Sequence, residues 1–289
     1  MRYARGVDAC ALCHDPAGRT LLVPAGEGRW TLPGGAVRHG EHPADAVVRW
    51  VGEQTGESVS VVRPRQVVTE IDEAPGERIH RDQIVFDVAA NATVLAADSW
   101  FSADVTGGLD LTPVARDALG FGSAVADRDQ AETITWSATP GQSSTRRQRF
   151  AAYGFATDTL DNILLTLIAK GYPGAGRWHL PGGGTDFGET AEAGLRREIV
   201  EETGQHGEIG PLVSVSHRHQ PSVVGPERLA MDWHGIRVVF QVRVAVPSTP
   251  VVMDGGGSTA AAAWFPLARA AELPLTEVAL EMVTAARPS

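Results

Sequence analysis

Two stretches of the chain have the dense apolar pattern that predicts β-strands. They run from Ala9 to Leu22 and from Tyr153 to Ala169, with turns inside each. Later strands and short helices follow each stretch, at residues 83–88 and 112–119 in one case and 236–244 and 276–286 in the other. Strands flanked by helices predict an α/β fold, in which helices cover both faces of a sheet.

A longer helix is predicted after the second glycine-rich turn, and it has two distinct faces. Leu195 and Ile199 are four residues apart and form an apolar pair that can dock the helix on a core. Glu198, Glu201 and Glu202 stand at i, i+3 and i+4 and share another face. Because like charges this close repel, the face favours a cation. Carboxylate oxygens suit Mg²⁺ or Mn²⁺.

An internal repeat organises the chain. Segment 29–35, RWTLPGG, recurs 148 positions later at 177–183 as RWHLPGG. Further matches follow in the same order: His80 with His234, Ile84-Val85-Phe86 with Val238-Val239-Phe240, and Trp100-Phe101 with Trp264-Phe265. Such matches indicate two copies of one domain. We predict a first domain over residues 1–125, a linker over 126–147 and a second domain over 148–289.

The linker is predicted from its composition, which is rich in Ala, Ser, Thr, Asp and Gln between residues 120 and 149. Within it, Thr133-Ile134-Thr135-Trp136 could add an edge strand to either domain, which leaves the boundary open. Arg146, Arg147 and Arg149 could meet a phosphate, but the composition favours a solvated linker.

The second copy carries a motif of fixed spacing, G-x5-E-x7-R-E-U-x-E-E-x-G-U, where U is a bulky apolar residue. The matching positions are Gly183, Glu189, Arg197, Glu198, Ile199, Glu201, Glu202 and Gly204. Only the last position departs, with Gln205 where an aliphatic residue is usual, and that position serves packing. In this spacing the chain resembles the Nudix hydrolase family. The resemblance implies two α/β/α sandwich domains in tandem and hydrolysis of a diphosphate linkage.

We call this motif, and its counterpart in the first copy, the box, and the helix that carries it the box helix. The resemblance also implies a role for each residue of the box in the second copy. Glu201 would be the principal ligand of Mg²⁺, or of Mn²⁺, and Glu198 and Glu202 would complete or orient the metal cluster. One of these two could also act as the base. The backbone carbonyl of Gly183 often contributes a ligand in this family. Arg197 would orient the carboxylates.

The remaining loop residues have supporting roles by the same resemblance. Glu189 would anchor the loop to the helix. Gly182, Gly183 and Gly184 would let the backbone pass close to phosphate and metal, and Gly188 would permit a tight turn before the helix.

The first copy lacks two of the three helix carboxylates. The shift of 148 aligns Glu53 with Glu201, but Trp50 stands in place of Glu198 and Gln54 in place of Glu202. Gly52 adds a helix-destabilising residue, which costs about 1 kcal/mol relative to alanine. Because Mg²⁺ requires several well-placed oxygens, we expect a degenerate first box that keeps the fold. Its expected roles are packing, shaping of the substrate cleft or ligand binding.

Candidate residues outside the box lie on and between the later strands. Glu227 or Asp232 could supply the base or a further metal ligand, although their position in a loop favours solvated acids without such a role. His217 and His219 alternate as on one face of a strand and could meet substrate. A structural role is equally open for both histidines and for their neighbours Arg218, Trp233 and His234.

Charge and composition narrow the partners. The formal charge is 25 − 35 = −10, which argues against a general binder of nucleic acid or of anionic membranes. The apolar run Ile163–Ala169 is too short to span a bilayer, and residues 1–11 lack the apolar core of a signal peptide. We therefore expect a cytoplasmic protein without a membrane partner. Cys10 and Cys13 have no second pair to complete a zinc site and are expected in an apolar strand.

These observations predict an Mg²⁺-dependent hydrolase of a diphosphate linkage in a nucleotide-like small molecule. A cation that bridges phosphate oxygens removes the charge repulsion and activates the attacking water. Two alternatives remain open, a non-catalytic nucleotide-sensing module and isoprenoid-diphosphate chemistry on the same scaffold. The sequence leaves open which diphosphate is the substrate. It also leaves open a monomer with an intramolecular pseudo-dimer or a homodimer.

Overall fold

The structure is a computed structural model, and it describes residues 1–91, 99–122, 146–224, 230–253 and 257–286. In the first half of the chain the elements are β1 (Arg2–Cys13), β2 (Thr20–Leu21), β3 (Val23–Gly26), β4 (Arg29–Thr31), β5 (Gly34–Ala36), α1 (Pro43–Thr55), β6 (Val59–Ala74), β7 (Glu77–Ala90), β8 (Trp100–Phe101), α2 (Ala103–Thr106) and α3 (Pro113–Ala118). In the second half they are β9 (Arg146–Thr157), β10 (Asn162–Ile168), β11 (Trp178–His179), β12 (Gly182–Gly184), α4 (Ala191–Thr203), β13 (Glu208–Val224), β14 (Ala230–Arg243), β15 (Thr259–Pro266) and α5 (Glu277–Ala285). A 3₁₀ helix spans Leu267–Glu272.

The first copy is built on a mixed sheet. Within the described residues its strands run in the order β5-β1-β7-β6, with β1 parallel to β7 and β6 antiparallel to β7. Every residue from 7 to 13 of β1 is buried, which requires cover on both faces of the sheet. Helices α1 and α3 supply this cover through Ala46, Val47, Val51, Val114, Ala115 and Ala118.

The second copy repeats this plan. Within the described residues its sheet runs β11-β10-β9-β14-β13, with β12 paired to β9 and β15 paired to β10. The apolar pair predicted on the box helix docks α4 as expected. A Cβ on Gly154 of β9 would lie 3.4 Å from Ile199 Cδ1 and 3.5 Å from Leu195 Cδ1. On α5, Val278 and Val283 join a core cluster with other buried apolar residues. The predicted α/β fold is confirmed.

The box helices have local stop signals. Both are followed by a glycine at positive φ, 75° at Gly56 and 65° at Gly204, a conformation that glycine adopts without strain. Helix α1 also has a start signal, because Pro43 stands in its first turn and His42 Nδ1 accepts a hydrogen bond from the Ala44 amide at 3.0 Å. These signals fix where each carboxylate or its replacement falls on the helix.

The chain folds into two compact units whose bounds do not follow the repeat. The first unit comprises Met1–Phe150, Asp186–Thr190 and Ser214–Ile236. The second comprises Ala151–Thr185, Ala191–Val213 and Arg237–Ser289. Parts of β13 and β14 and part of the second glycine-rich loop therefore belong with the first unit. The predicted domain boundaries remain a prediction.

Some elements differ from the sequence prediction. Strand β9 begins at Arg146, so Arg146, Arg147 and Arg149 start a strand rather than lie in a solvated linker. The segment Thr133–Trp136 lies outside the described residues. Strand β7 covers 77–90, where the apolar pattern predicted 83–88, because β6 pairs with it along its whole length. Apolar residues mark only the buried part of such a hairpin.

Both cysteines lie buried in β1 with free thiols, as the prediction of an apolar strand requires. Burial raises the pKa of Cys13 to about 11 and raises that of Cys10 further, so neither thiol is a ready nucleophile at neutral pH. In the described part of the chain, no helix has the length and apolar character needed to cross a bilayer.

The turn between β9 and β10 depends on one buried carboxylate. Asp158 accepts hydrogen bonds from the Leu160 amide at 2.8 Å, the Asn162 amide at 2.9 Å and Asn162 Nδ2 at 2.7 Å. Burial opposes its ionisation, but these hydrogen bonds outweigh that effect and hold the pKa of Asp158 below its ordinary value.

We expect Asp158→Ala to lower the free energy of unfolding at pH 7 by about 2 kcal/mol, because two part-buried amides lose a charged acceptor. A lowered pKa stabilises the fold above the unfolded-state pKa of about 4 and ceases to do so as pH falls through the folded-state pKa. In urea titrations of both proteins from pH 7 down to pH 3, the difference in the free energy of unfolding should therefore narrow as the pH falls below about 4. Glu208→Gln, which removes an exposed carboxylate, serves as the control. A pH-independent difference would contradict this account.

Candidate active site

The loop Gly182–Gly184 and helix α4 are joined by the carboxylate of Glu202. One oxygen of Glu202 accepts the Gly182 amide at 2.9 Å, and the other accepts the hydroxyl of Thr259 on β15. Glu202 is 7% exposed. Its burial, only partly offset by these hydrogen bonds, raises the pKa of Glu202 to about 7. A carboxyl group with such a pKa can hold or release a proton near neutral pH.

Arg197 connects the other two carboxylates. Its Nη1 lies 3.1 Å from Glu198 Oε1 and 3.1 Å from Glu201 Oε2. Its Nη2 donates to the carbonyl of Gly184 at 3.2 Å. The glutamates therefore lie on one side of the helix, as the i, i+3, i+4 spacing predicted, and Arg197 holds two of them over the glycine loop.

The glycine loop fits closely against its neighbours. A Cβ on Gly182, whose φ is 134°, would collide with the Ala152 carbonyl oxygen and lie 2.7 Å from Tyr153 Cα. A Cβ on Gly183 would lie 2.6 Å from Glu198 Oε1. The absence of a side chain at Gly183 thus creates the space that the Glu198 carboxylate occupies.

This arrangement fits a hard divalent cation by its chemistry. Three carboxylates and the neighbouring glycine backbone offer only oxygen donors, which Mg²⁺ and Mn²⁺ prefer. The positive guanidinium of Arg197 already stands between Glu198 and Glu201, at a place where positive charge is favourable. A cation beside these groups would also favour the ionised form of Glu202.

The first copy keeps the same frame with different chemistry. Gln54 takes the position of Glu202, where its Oε1 accepts the Gly34 amide at 2.9 Å and its Nε2 donates to the Gly34 carbonyl at 3.1 Å. Trp50 takes the position of Glu198, and its Nε1 donates to the Ala36 carbonyl at 3.1 Å. A Cβ on Gly35 would lie 2.8 Å from the Trp50 ring. The space that holds a carboxylate over Gly183 holds an indole here.

The arginine of the first box keeps its contacts. Arg49 pairs with both oxygens of Glu41 at 2.8 and 2.9 Å and approaches Glu53 at 3.5 Å. Glu41 Oε2 also accepts the Arg38 amide at 2.8 Å. The equivalent Glu189 of the second copy is buried and accepts the Asp186 amide at 2.8 Å. In both copies this glutamate therefore accepts a backbone amide of the loop before the box helix.

Two buried histidines, which were not predicted as site residues, hold these loops. In the first compact unit, His80 Nδ1 accepts the Gly188 amide at 2.9 Å, and His234 Nδ1 accepts the Gly40 amide at 3.1 Å. Gly188 and Gly40 are 148 positions apart, so the two bonds are equivalent. Burial, then the neighbouring His217, lower the pKa of His234 to about 4, which keeps its ring neutral and able to accept. The repeat of His80 at His234 was the available signal.

The described candidates outside the box lie in the first compact unit. Asp232, His217 and His219 belong to the first compact unit, where His219 Nε2 lies 2.6 Å from Asp232 Oδ1 and His217 Nδ1 lies 3.2 Å from His234 Nε2. Asp232 therefore pairs with a histidine. His234 is fully buried, so contact with substrate is not its role. Glu227 lies outside the described residues.

Comparison with known proteins gives a family match over both copies. The model of the NUDIX domain matches residues 4–108 and 147–285. Human 8-oxo-dGDP phosphatase NUDT18 is 34% identical over 106 residues, which cover 37% of this chain and 28% of that protein. Mouse diphosphoinositol polyphosphate phosphohydrolase 3-alpha is 32% identical over 94 residues, which cover 30% of this chain and 56% of that protein.

The matched segments span from about a quarter to just over half of the length of these curated relatives. Among solved structures, the crystal structure of MutT NUDIX hydrolase from Burkholderia pseudomallei is 25% identical, with a TM-score of 0.37. That match covers 49% of this chain and 99% of the other. The family model covers well over half of the chain and matches it twice. The chain belongs to the NUDIX family and carries two NUDIX domains in tandem.

Proposed function

We propose that the chain is a divalent-metal-dependent hydrolase of a diphosphate linkage in a nucleoside diphosphate derivative or a similar small molecule, with its active site in the second copy. The observation that carries the proposal is the pair Glu198 and Glu202 against the loop Gly182–Gly184, with Glu201 joined to Glu198 through Arg197. In place of that pair the first copy has an indole and an amide. Family membership supports the reaction class, and the names of the relatives point to phosphorylated small molecules.

Mg²⁺ or Mn²⁺ would be held by Glu198, Glu201 and Glu202, with the Gly183 carbonyl as a further donor. When bound, the cation neutralises phosphate charge and activates the attacking water. Arg197 orients Glu198 and Glu201 from the side of the loop. The three carboxylates together carry more negative charge than the single guanidinium neutralises, so the site would still attract a divalent cation.

Glu202 is suited to hold the transferred proton. Without a metal the pKa of Glu202 is about 7, and a bound cation would lower that pKa, so the carboxylate would be ionised and able to accept a proton. Thr259 and the Gly182 amide fix its two oxygens, so the carboxylate does not swing away from the loop. Glu189 and the glycine backbone position the loop. In the first copy, Trp50 and Gln54 keep the fold without offering this donor set, which supports a non-catalytic role for that copy.

We expect the double variant Glu198→Gln/Glu201→Gln to lower kcat by at least about 100-fold, the effect typical of losing a positioned catalytic carboxylate. Product masses and phosphate release should be measured with Mg²⁺ on nucleoside diphosphates and triphosphates, dinucleotide polyphosphates, nucleotide sugars, ADP-ribose, NADH and diphosphoinositol polyphosphates. Melting temperatures would verify that the variant folds.

The matched control is Glu53→Gln, at the position equivalent to Glu201. The two side chains are similarly exposed, at 46% and 45%, so loss of either charge perturbs the surface to the same degree. Glu53→Gln should leave turnover unchanged. Equal losses in both variants would contradict an active site in the second copy, and metal-dependent binding without turnover of any compound would indicate a sensing module.

Two alanine substitutions separate the catalytic part of the loop from its structural part. Gly183→Ala should lower kcat and leave the melting temperature nearly unchanged, because the new methyl meets only the movable end of Glu198. Gly182→Ala should destabilise the fold by about 1–3 kcal/mol, because its methyl meets strand backbone. Thermal melts and kinetics on the same preparations test this. Unchanged activity in Gly183→Ala would argue against a role for Glu198.

A further inference from the structure

A second cluster of metal-ligating side chains lies in the first compact unit, apart from the box glutamates. His39 comes from the loop between β5 and α1, His219 from β13 and Asp232 from β14. His219 Nε2 lies 2.6 Å and His39 Nε2 lies 3.0 Å from the same oxygen, Asp232 Oδ1. The ligand atoms of these three residues all lie within 4.8 Å of one another. Within the described part of the chain, no other group of three or more His, Cys, Asp or Glu residues meets this criterion.

The environment of the His39 ring indicates that the cluster could hold a cation. Its Nε2 is buried and lies 3.0 Å from Asp232 Oδ1, but the two groups are not well aligned for a hydrogen bond. This contact is an ion pair when the ring is protonated, but an unprotonated Nε2 would face a carboxylate oxygen without a proton between them, which is unfavourable. A cation that shares Asp232 with both imidazoles would satisfy that nitrogen.

Neighbouring groups hold the three ligands in place. Arg146 Nε lies 3.5 Å from Asp232 Oδ2, which leaves Oδ1 for the imidazoles. The rings of His39 and His219 are perpendicular, with centroids 5.2 Å apart. The ring of His234 packs against both at 5.4 and 6.0 Å, and its own nitrogens are engaged by the Gly40 amide and by His217. Such surrounding contacts fix the orientation of metal-binding side chains.

We propose that His39, His219 and Asp232 form a binding site for Zn²⁺ or a similar borderline transition metal. Two imidazoles and one carboxylate are a typical donor set for Zn²⁺, whereas Mg²⁺ prefers oxygen donors alone. Ligand atoms bound to Zn²⁺ at about 2.0–2.1 Å in a tetrahedron stand about 3.3 Å apart. The Nε2–Oδ1 distances of 2.6 and 3.0 Å would open by about 0.3–0.7 Å around such an ion, and all three ligand atoms already lie within 4.8 Å of one another.

The site would join the loop that precedes α1 to the β13–β14 hairpin. Both already meet through the Gly40–His234 hydrogen bond, so the metal would stabilise an existing contact. The inference is independent of the proposed hydrolase, because it uses none of the box residues.

The test is a titration of the full-length, chelator-treated protein with Zn²⁺ in excess Mg²⁺, followed by calorimetry. We expect one Zn²⁺ per chain. Asp232→Asn and His219→Asn should each weaken binding by more than about 100-fold, since even a residue that only orients a ligand contributes about 10–100-fold. His206→Asn, which removes an exposed histidine outside the cluster, should have no effect. Thermal melts without Zn²⁺ verify folding.

Two further variants keep the result unambiguous. Glu198→Gln/Glu201→Gln should retain Zn²⁺ binding, because the box is a different site. Asp232→Cys should bind Co²⁺ with a sulfur-to-metal charge-transfer band that the wild type lacks, which places residue 232 on the metal even if another variant folds poorly. Absence of saturable Zn²⁺ binding, binding that survives loss of His219 and Asp232, or binding lost with the box glutamates would each overturn the proposal.

Discussion

The tie between the glycine-rich turn and the box helix is the constraint on which the rest of each site depends. In the second copy the Glu202 carboxylate accepts the Gly182 amide, and in the first copy the Gln54 side chain accepts the Gly34 amide, both at 2.9 Å. A glutamine makes this bond as well as a glutamate does, because only one acceptor oxygen is needed. The frame can therefore persist when the charge is lost.

The two copies share the contacts that hold the loop against the helix, but they differ in the side chains that could bind a metal. Arg49 and Arg197 each donate to a carbonyl of the glycine-rich loop, that of Ala36 in the first copy and that of Gly184 in the second. Gly35 and Gly183 each leave room for the side chain of the residue that follows the arginine. That residue is an indole in one case and a carboxylate in the other. Under the proposed function, this one replacement, together with Gln54, accounts for a single metal-dependent site per chain.

Local signals made much of this predictable. Helical periodicity placed Glu198, Glu201 and Glu202 on one face, and the pair Leu195 and Ile199 on the core. The repeat indicated two domains of the same fold. These features depend on residues within a few turns of one another, or on direct sequence identity, so they are visible without a structure.

Contacts between distant residues were not predictable. Thr259 reaches Glu202 across 57 positions, and His80 reaches Gly188 across 108. Neither contact has a local pattern, because each depends on how strands far apart in sequence are brought together. The same holds for His39, which joins His219 and Asp232 only through the loop before α1. Strand β9 begins earlier than predicted because its first four residues, 146–149, are exposed and polar, so the apolar pattern marks only its buried part.

Single-turnover hydrolysis in oxygen-18-labelled water tests the central claim most directly. With Mg²⁺ and a nucleoside diphosphate derivative that the chain turns over, one solvent oxygen should enter one phosphate-containing product. Incorporation should vanish when the α4 glutamates are replaced by glutamine and persist when Glu53 is replaced. A product without solvent oxygen, or labelling that survives loss of the α4 glutamates, would contradict water attack at a site in the second copy.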